Sequence, residues 1–285
     1  MLDEHRSVRA ELRRRGRVRD CLALAVVPAV LVAVFLLPES TRRGLAFVYQ
    51  RPTLATAYTA HFVHLSLDHL LANVLGYVLL AGTGYVLAVL AGARRLFGAA
   101  AATNLLAFPV VLSALNLAIP RDAVGYGFSG VTMAFAGLLA VVGAAYAGRR
   151  LHPAVGVRHA PGAFFAVLAL VSVIVLPSVP LAWALASVAA LGALGYVGSA
   201  ARALRSPAAP SAWRGVSDPG WSDILVVAAV VFFGYPFVGF PADVRSGGTL
   251  TNVYVHLLGF CLAFLVAYVC AESGLFGAGS DRGHP

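Results

Sequence analysis

Long apolar runs alternate along this chain with short connections that carry arginine. The first run covers about residues 21–37 and stops at Pro38-Glu39. A polar loop follows to about residue 58. The second run starts near Asp68, a residue type that N-caps helices, and reaches about residue 91. Arg94-Arg95 turns the chain into a third run, about 97–118, closed by Pro120. A fourth begins at Ser129 and ends before Arg149-Arg150. Residues 162–199 form one apolar stretch of 38 residues, broken by Pro177 and Pro180. At roughly 1.5 Å rise per residue this exceeds one bilayer crossing. Two prolines three apart suit a tight reversal, so the pattern predicts two helices, about 162–177 and 180–200. A Ser/Pro/Ala-rich loop at 206–220 leads to a seventh run at about 222–240. Pro241 and Gly247-Gly248 mark a flexible loop before an eighth run at about 251–271, and residues 272–285 are a polar tail.

Eight apolar runs predict an all-α polytopic membrane protein, and composition agrees. Of 285 residues 60% are hydrophobic and 12% charged, against roughly 25% charged in soluble domains. The mean hydropathy is +0.83. The net charge of +9 rests on arginine alone, since the chain has no lysine. In a soluble protein that balance would point to nucleic acid. Here the arginines sit in short loops, where topology rules place them, and no nucleic-acid partner is expected. With the N-terminus cytoplasmic, 16 arginines fall on the inner side and 5 in outer loops, which supports that orientation in a cell membrane. Residues 1–20, with seven arginines, form a basic cytoplasmic tail, either a short interfacial helix or a disordered segment. The apolar run after it lacks a small-residue cleavage site, so the tail is expected to be retained. Cys21, Cys261 and Cys270 show no pairing pattern and fit small core hydrophobes. Gly259-x-x-x-Ala263 and Gly195-x-x-Gly198 suit close helix packing.

Under this topology the second, fourth and eighth helices all run from outside to inside. Polar groups near their starts then lie at similar depth, and polar groups within membrane helices are costly enough to be functional candidates. Ser129 stands in Gly127-Phe128-Ser129-Gly130, where a polar loop enters an apolar helix. Free N–H groups and the positive dipole end there favour a developing oxyanion. The plain alternative is a serine bonded to its own backbone. His256 lies several residues inside the last run, with Gly259 one turn on to admit a neighbouring helix. The alternative for it is a histidine satisfied by a carbonyl. His69 and Asn73, at i and i+4, share a helix face and can both donate hydrogen bonds. His61, His64, Asp68 and His69 are metal-ligand types within nine residues, but His-x-x-His is not the helical zinc spacing and no second cluster completes it. No metal or cofactor is expected.

Together these motifs resemble the rhomboid family of intramembrane serine proteases. The likeness rests on His-x-x-x-Asn (His69, Asn73), Gly-x-Ser-Gly (Gly127, Ser129, Gly130) and His-x-x-Gly (His256, Gly259), in the family's order. It spans about residues 20–271. It implies a six-helix core, a Ser129–His256 dyad, and an oxyanion site formed by His69, Asn73 and the Ser129 N–H. Substrates would be membrane-spanning proteins cut near the outer face. The loop at 241–250, with Gly247-Gly248, is the candidate for a movable cap. His64 falls where the family often has a histidine that helps hold the first loop.

Three features depart from the family pattern. Between the serine and histidine helices 126 residues intervene, room for three crossings instead of one, so an added hairpin is expected at about 162–200 and the family's fifth helix at 222–240. Met133 stands where the family often has a tyrosine that stacks on the histidine. The first outer loop is short and lacks the Trp-Arg pair of some members. Two other readings compete: a non-catalytic rhomboid-like protein that binds client transmembrane helices, and a small-solute transporter or channel, for which no inverted repeat is evident.

Overall fold

The computed structural model describes residues 7–206, 220–241, 243, 245–246 and 249–276. Among these, seven helices are long and apolar enough to cross a membrane, and a bent helix pair makes an eighth if taken as one span. The chain is an all-α polytopic membrane protein. Its helices are α1 (Val8–Arg15), α2 (Val18–Phe35), α3 (Glu39–Gly44), α4 (Leu54–Thr59), α5 (Leu67–Ala91), α6 (Arg94–Leu106), α7 (Phe108–Asn116), α8 (Ser129–Arg150), α9 (Ala160–Val175), α10 (Pro180–Arg205), α11 (Trp221–Gly234), α12 (Pro236–Gly239) and α13 (Val253–Glu272). Two short antiparallel pairs join loops. β1 (Phe47–Val48) pairs with β2 (Val124–Gly125), and β3 (Arg245–Ser246) with β4 (Thr249–Leu250).

The bent pair is the third expected run. It is not one straight helix, because α6 and α7 meet at 49°. Pro109 lacks the N–H that would bond the Leu105 carbonyl, and its ring crowds that turn. The Tyr58 hydroxyl donates to the freed Leu105 carbonyl instead, at 3.3 Å. A second difference lies at the start of α5. Its N-cap is Ser66, not Asp68: the Ser66 hydroxyl accepts from the His69 N–H at 3.4 Å, and Asp68 sits inside the first turn. The seventh run also breaks, at Tyr235, where Pro236 opens the short α12. The reversal between α9 and α10 falls where the prolines predict it, with Pro180 as the first residue of α10. Most of the 206–220 loop, the Gly247-Gly248 pair of the expected cap, and residues 277–285 of the polar tail lie outside the described residues.

α8 forms the axis of the bundle. It is buried on almost every side from Gly130 to Val142, as expected of a helix ringed by α5, α6, α11 and α13. Two pairs of contacts show that α5, α8 and α13 share one direction. Tyr77 packs edge-on against Phe135 and Gly84 faces Val142; Gly259 lies on Gly130, and Gly137 on the backbone of Phe260 and Phe264. α9 docks on this core through Phe164, whose ring stacks on Phe264 at 4.2 Å. α10 leans on α9 through the buried stripe Ala182, Ala186 and Ala189, leaving its other faces apolar and exposed, as a lipid-facing helix requires.

At the bundle end away from Ser129, the basic tail folds back as α1, and α2 begins three residues ahead of the expected boundary. α1 is capped by Ser7 and centred on Glu11, which is only 3% exposed. Arg14 grips the Glu11 carboxylate with two 2.9 Å hydrogen bonds, and Arg15 and Arg150 add ion pairs at 2.5 and 3.0 Å. Arg150 also donates to the Leu90 carbonyl at the end of α5 and lies 4.5 Å over the Trp221 ring. One carboxylate thus ties α1, α5, α8 and α11. The Arg14 hydrogen bonds, with the one from Arg150, outweigh burial and pull the Glu11 carboxyl down to about 2. Its stabilising effect is therefore complete above the unfolded carboxyl value near ~4.3 and fades as pH falls through about 2. Glu11→Gln is expected to lower stability at pH 7 by about 2 kcal/mol. In detergent melts, the gap between wild type and variant should narrow steadily as pH drops below 4 toward 2.

Candidate active site

Ser129 is the first residue of α8, so the N–H groups of its first turn have no acceptor within the helix. The entry is fixed by its two predecessors. Phe128 is fully buried and packs against Phe62 and Tyr77, with ring centres 5.6 and 5.8 Å away. Gly127 adopts φ +110° and donates its N–H to the Ala60 carbonyl at 3.0 Å. Glycine is needed here on two counts. The backbone is in a region closed to most side chains, and a methyl group would lie 2.6 Å from Cε1 of His69. The His69 ring therefore lies directly against the loop residue two positions before Ser129.

His256 sits in the first turn of α13, whose N-cap Asn252 accepts from the Val255 N–H at 3.2 Å. The same Asn252 donates to the Tyr49 hydroxyl at 3.4 Å, and so does the Asn116 amide. Arg121 covers the Tyr49 ring and bonds the Asn116 carbonyl oxygen. This cluster binds the start of α13 to the loop that enters α8. One turn past His256, Gly259 allows the two helices to touch, since a methyl there would lie 2.0 Å from the Gly130 carbonyl oxygen. At that separation the His256 Nε2 lies 2.7 Å from the Ser129 Oγ. The other ring nitrogen, Nδ1, meets the Gly239 carbonyl at 2.5 Å. A carbonyl only accepts, so Nδ1 carries the proton and Nε2 offers a lone pair to the serine hydroxyl. The Phe240 ring stands edge-on to the imidazole at 6.0 Å.

Of the four site residues expected from sequence, Ser129 and His256 are joined directly, and the His69 ring lies against Gly127, two residues before Ser129. Asn73 is buried one turn along α5, and its amide donates to the His69 carbonyl at 2.9 Å, leaving a second N–H for another acceptor. The His69 ring packs against His64 and Tyr126, with ring centres 4.9 and 5.9 Å away. His64 is fully buried, and its carbonyl accepts from Arg42 of α3 at 2.6 Å. His61 is 3.0 Å from the Ser113 hydroxyl, which itself donates to the Ala57 carbonyl. Among the described residues no three His, Cys, Asp or Glu groups converge as metal ligands would.

Sequence reasoning missed Gly239. Its carbonyl lies at the end of α12, where no following turn takes it up. The signal was present in Pro236 and Gly239, which interrupt an otherwise apolar run. Met133 does not lie open beside the histidine. It is buried, and its sulfur abuts Gly239. Comparison with family models, with curated proteins and with solved structures finds no match to this chain.

The contact between α8 and α13 generates a direct test. Gly259→Ala drives a methyl into backbone and should destabilise the protein by about 1–3 kcal/mol. Gly195→Ala, where a methyl meets nothing within 4 Å, should be neutral or stabilising. Detergent-solubilised thermal melts of the two variants, side by side, check this expectation.

Proposed function

We propose that this chain is an intramembrane serine endopeptidase of rhomboid type, held in the cell membrane with its N-terminus cytoplasmic. The reading is supported above all by the 2.7 Å hydrogen bond between Ser129 and His256, side chains 127 residues apart on two apolar helices. In this mechanism His256 Nε2 takes the hydroxyl proton as Ser129 Oγ attacks a peptide carbonyl carbon. Negative charge gathers on the carbonyl oxygen. The free N–H of Ser129 and donors from His69 and Asn73 stabilise it. As the tetrahedral intermediate collapses, the C–N bond breaks and the imidazolium returns its proton to the departing nitrogen. Water, activated in turn by His256, then hydrolyses the acyl-enzyme. Among the described residues no carboxylate reaches the imidazole, so the nucleophile and base form a dyad. The substrates are membrane-spanning proteins whose helices open near the outer face and offer a peptide bond to the wet end of α8.

Purified protein should label at Ser129 with a fluorophosphonate probe and cleave some members of a panel of single-span reporters. Ser129→Ala and His256→Ala should each lower cleavage by roughly 10⁴-fold or more. Asn73→Ala should cost on the order of 10²-fold in the cleavage rate. Reporter cleavage that survives intact in Ser129→Ala would overturn the assignment. A wild type that binds reporters without cutting or labelling would leave the non-catalytic client-binding reading in its place.

A further inference from the structure

Taking the dyad reading as given, we infer that the Gly239 carbonyl, held in place by Met133, is the group that positions His256 as a base and stabilises its charged form. A dyad histidine needs something to choose its tautomer. In water the free imidazole has no such constraint, and the wrong tautomer would present an N–H to Ser129 and leave the hydroxyl unactivated. A carboxylate does this work in a triad. Here a backbone carbonyl takes that position, and three features fix its aim.

The first is the short α12. Pro236 opens it, the Gly239 N–H bonds the Tyr235 carbonyl at 2.9 Å, and the Phe240 N–H bonds the Pro236 carbonyl at 2.8 Å. The chain then leaves helical geometry at Phe240, with φ −128° and ψ 70°, so the Gly239 carbonyl is an unclaimed helix-end acceptor. The second is packing on two sides. The Tyr235 phenol seats on Gly76 of α5, where a methyl would lie 2.1 Å from its oxygen, and the Met133 sulfur of α8 presses on Gly239. The third is Phe240, fully buried, whose ring edges the imidazole. Carbonyl, sulfur and ring therefore reach one another only while position 239 has no side chain: a methyl there would lie 2.7 Å from Met133 Sδ. When His256 takes the serine proton, its Nδ1–H already points at the partial negative charge of that carbonyl, so the imidazolium forms without reorganisation. Gly239 and Met133 are thus positioning residues, acting on the reaction through His256.

Two measurements test this, and the first needs no activity. In ¹⁵N-histidine NMR of the micelle-bound protein, the His256 ring, assigned by its loss in His256→Ala, should be the neutral Nδ1–H tautomer. A neutral Nε2–H ring overturns the inference whatever the protein cleaves. The second is the inactivation rate by a fluorophosphonate as a function of probe concentration. Gly239→Ala should lower the limiting rate on the order of a hundredfold, while the half-saturating concentration stays within about twofold. Adding Met133→Ala in the same chain makes room for the methyl and should restore at least about tenfold of that loss. A Gly239→Ala variant that keeps the wild-type limiting rate, or a loss that Met133→Ala fails to relieve, overturns it. If the wild type takes no label at all, the protease reading falls, and the tautomer measurement alone decides this one.

Discussion

One hydrogen bond, from the Ser129 hydroxyl to the His256 imidazole, constrains the rest of this bundle. It requires two apolar helices to run side by side at backbone contact, in parallel, with their polar residues at one level. Gly130 and Gly259 meet that demand at the level of the pair, and Gly137 meets it two turns further along, where the Phe260 carbonyl takes the space of a side chain. Lipid offers no hydrogen bonds, so a polar side chain left alone there costs several kcal/mol, on the order of 2–7. Both imidazole nitrogens of His256 are instead engaged, one by serine and one by a helix-end carbonyl. The pair is consequently a place where the packing has only one good solution.

The remaining elements hold that solution from both ends. Near Ser129 the loops are knitted by the β1–β2 pair, by the Gly127 bond to Ala60, and by the Tyr49 cluster that reaches from Arg121 to the cap of α13. At the opposite end Glu11 and Arg150 join the tail helix to α5, α8 and α11, and Asp20 pairs with Arg94 at 2.9 Å. Between these clamps the helices meet through small residues and stacked rings, which is how apolar helices bind when no hydrophobic force separates protein from lipid.

How much of this could be read from the residues follows from what each feature depends on. The spans were legible, because a bilayer imposes a length and an absence of charge, and the observed helices start and stop within a few residues of the apolar runs. The polar candidates were legible too, because histidine, asparagine and serine stand out against apolar neighbours. The cap of α5 was not: Ser66 and Asp68 are both capping types two positions apart, and only backbone angles choose between them. The third run reads as one apolar stretch although Pro109 lies inside it, and the 49° bend between α6 and α7 appears only in the folded chain. Gly239 was the least legible, since every residue has a carbonyl and only the fold decides which one faces an imidazole. Met133 stands where the resemblance would put a tyrosine stacked on the histidine. In place its sulfur packs on Gly239, the residue whose carbonyl meets the imidazole.

The long interval between α8 and α13 raises the question of how so long a connection keeps the two helices in register. Three spans lie between them, α9, α10 and α11 with its short extension α12, and an odd number returns α13 in the direction of α8. Their contributions are unequal. α11 and α12 pack against α5 and α8 and supply both the carbonyl for His256 and the phenol against Gly76. α9 wedges beside α13 through Phe164, and α10 rests almost wholly on α9 with its outer face toward lipid. The α9–α10 pair at the rim counts as two crossings, so it changes neither the parity of the path nor the contact between Gly130 and Gly259. Direction and contact are the two conditions the serine and histidine need, so the hairpin can be carried without disturbing either.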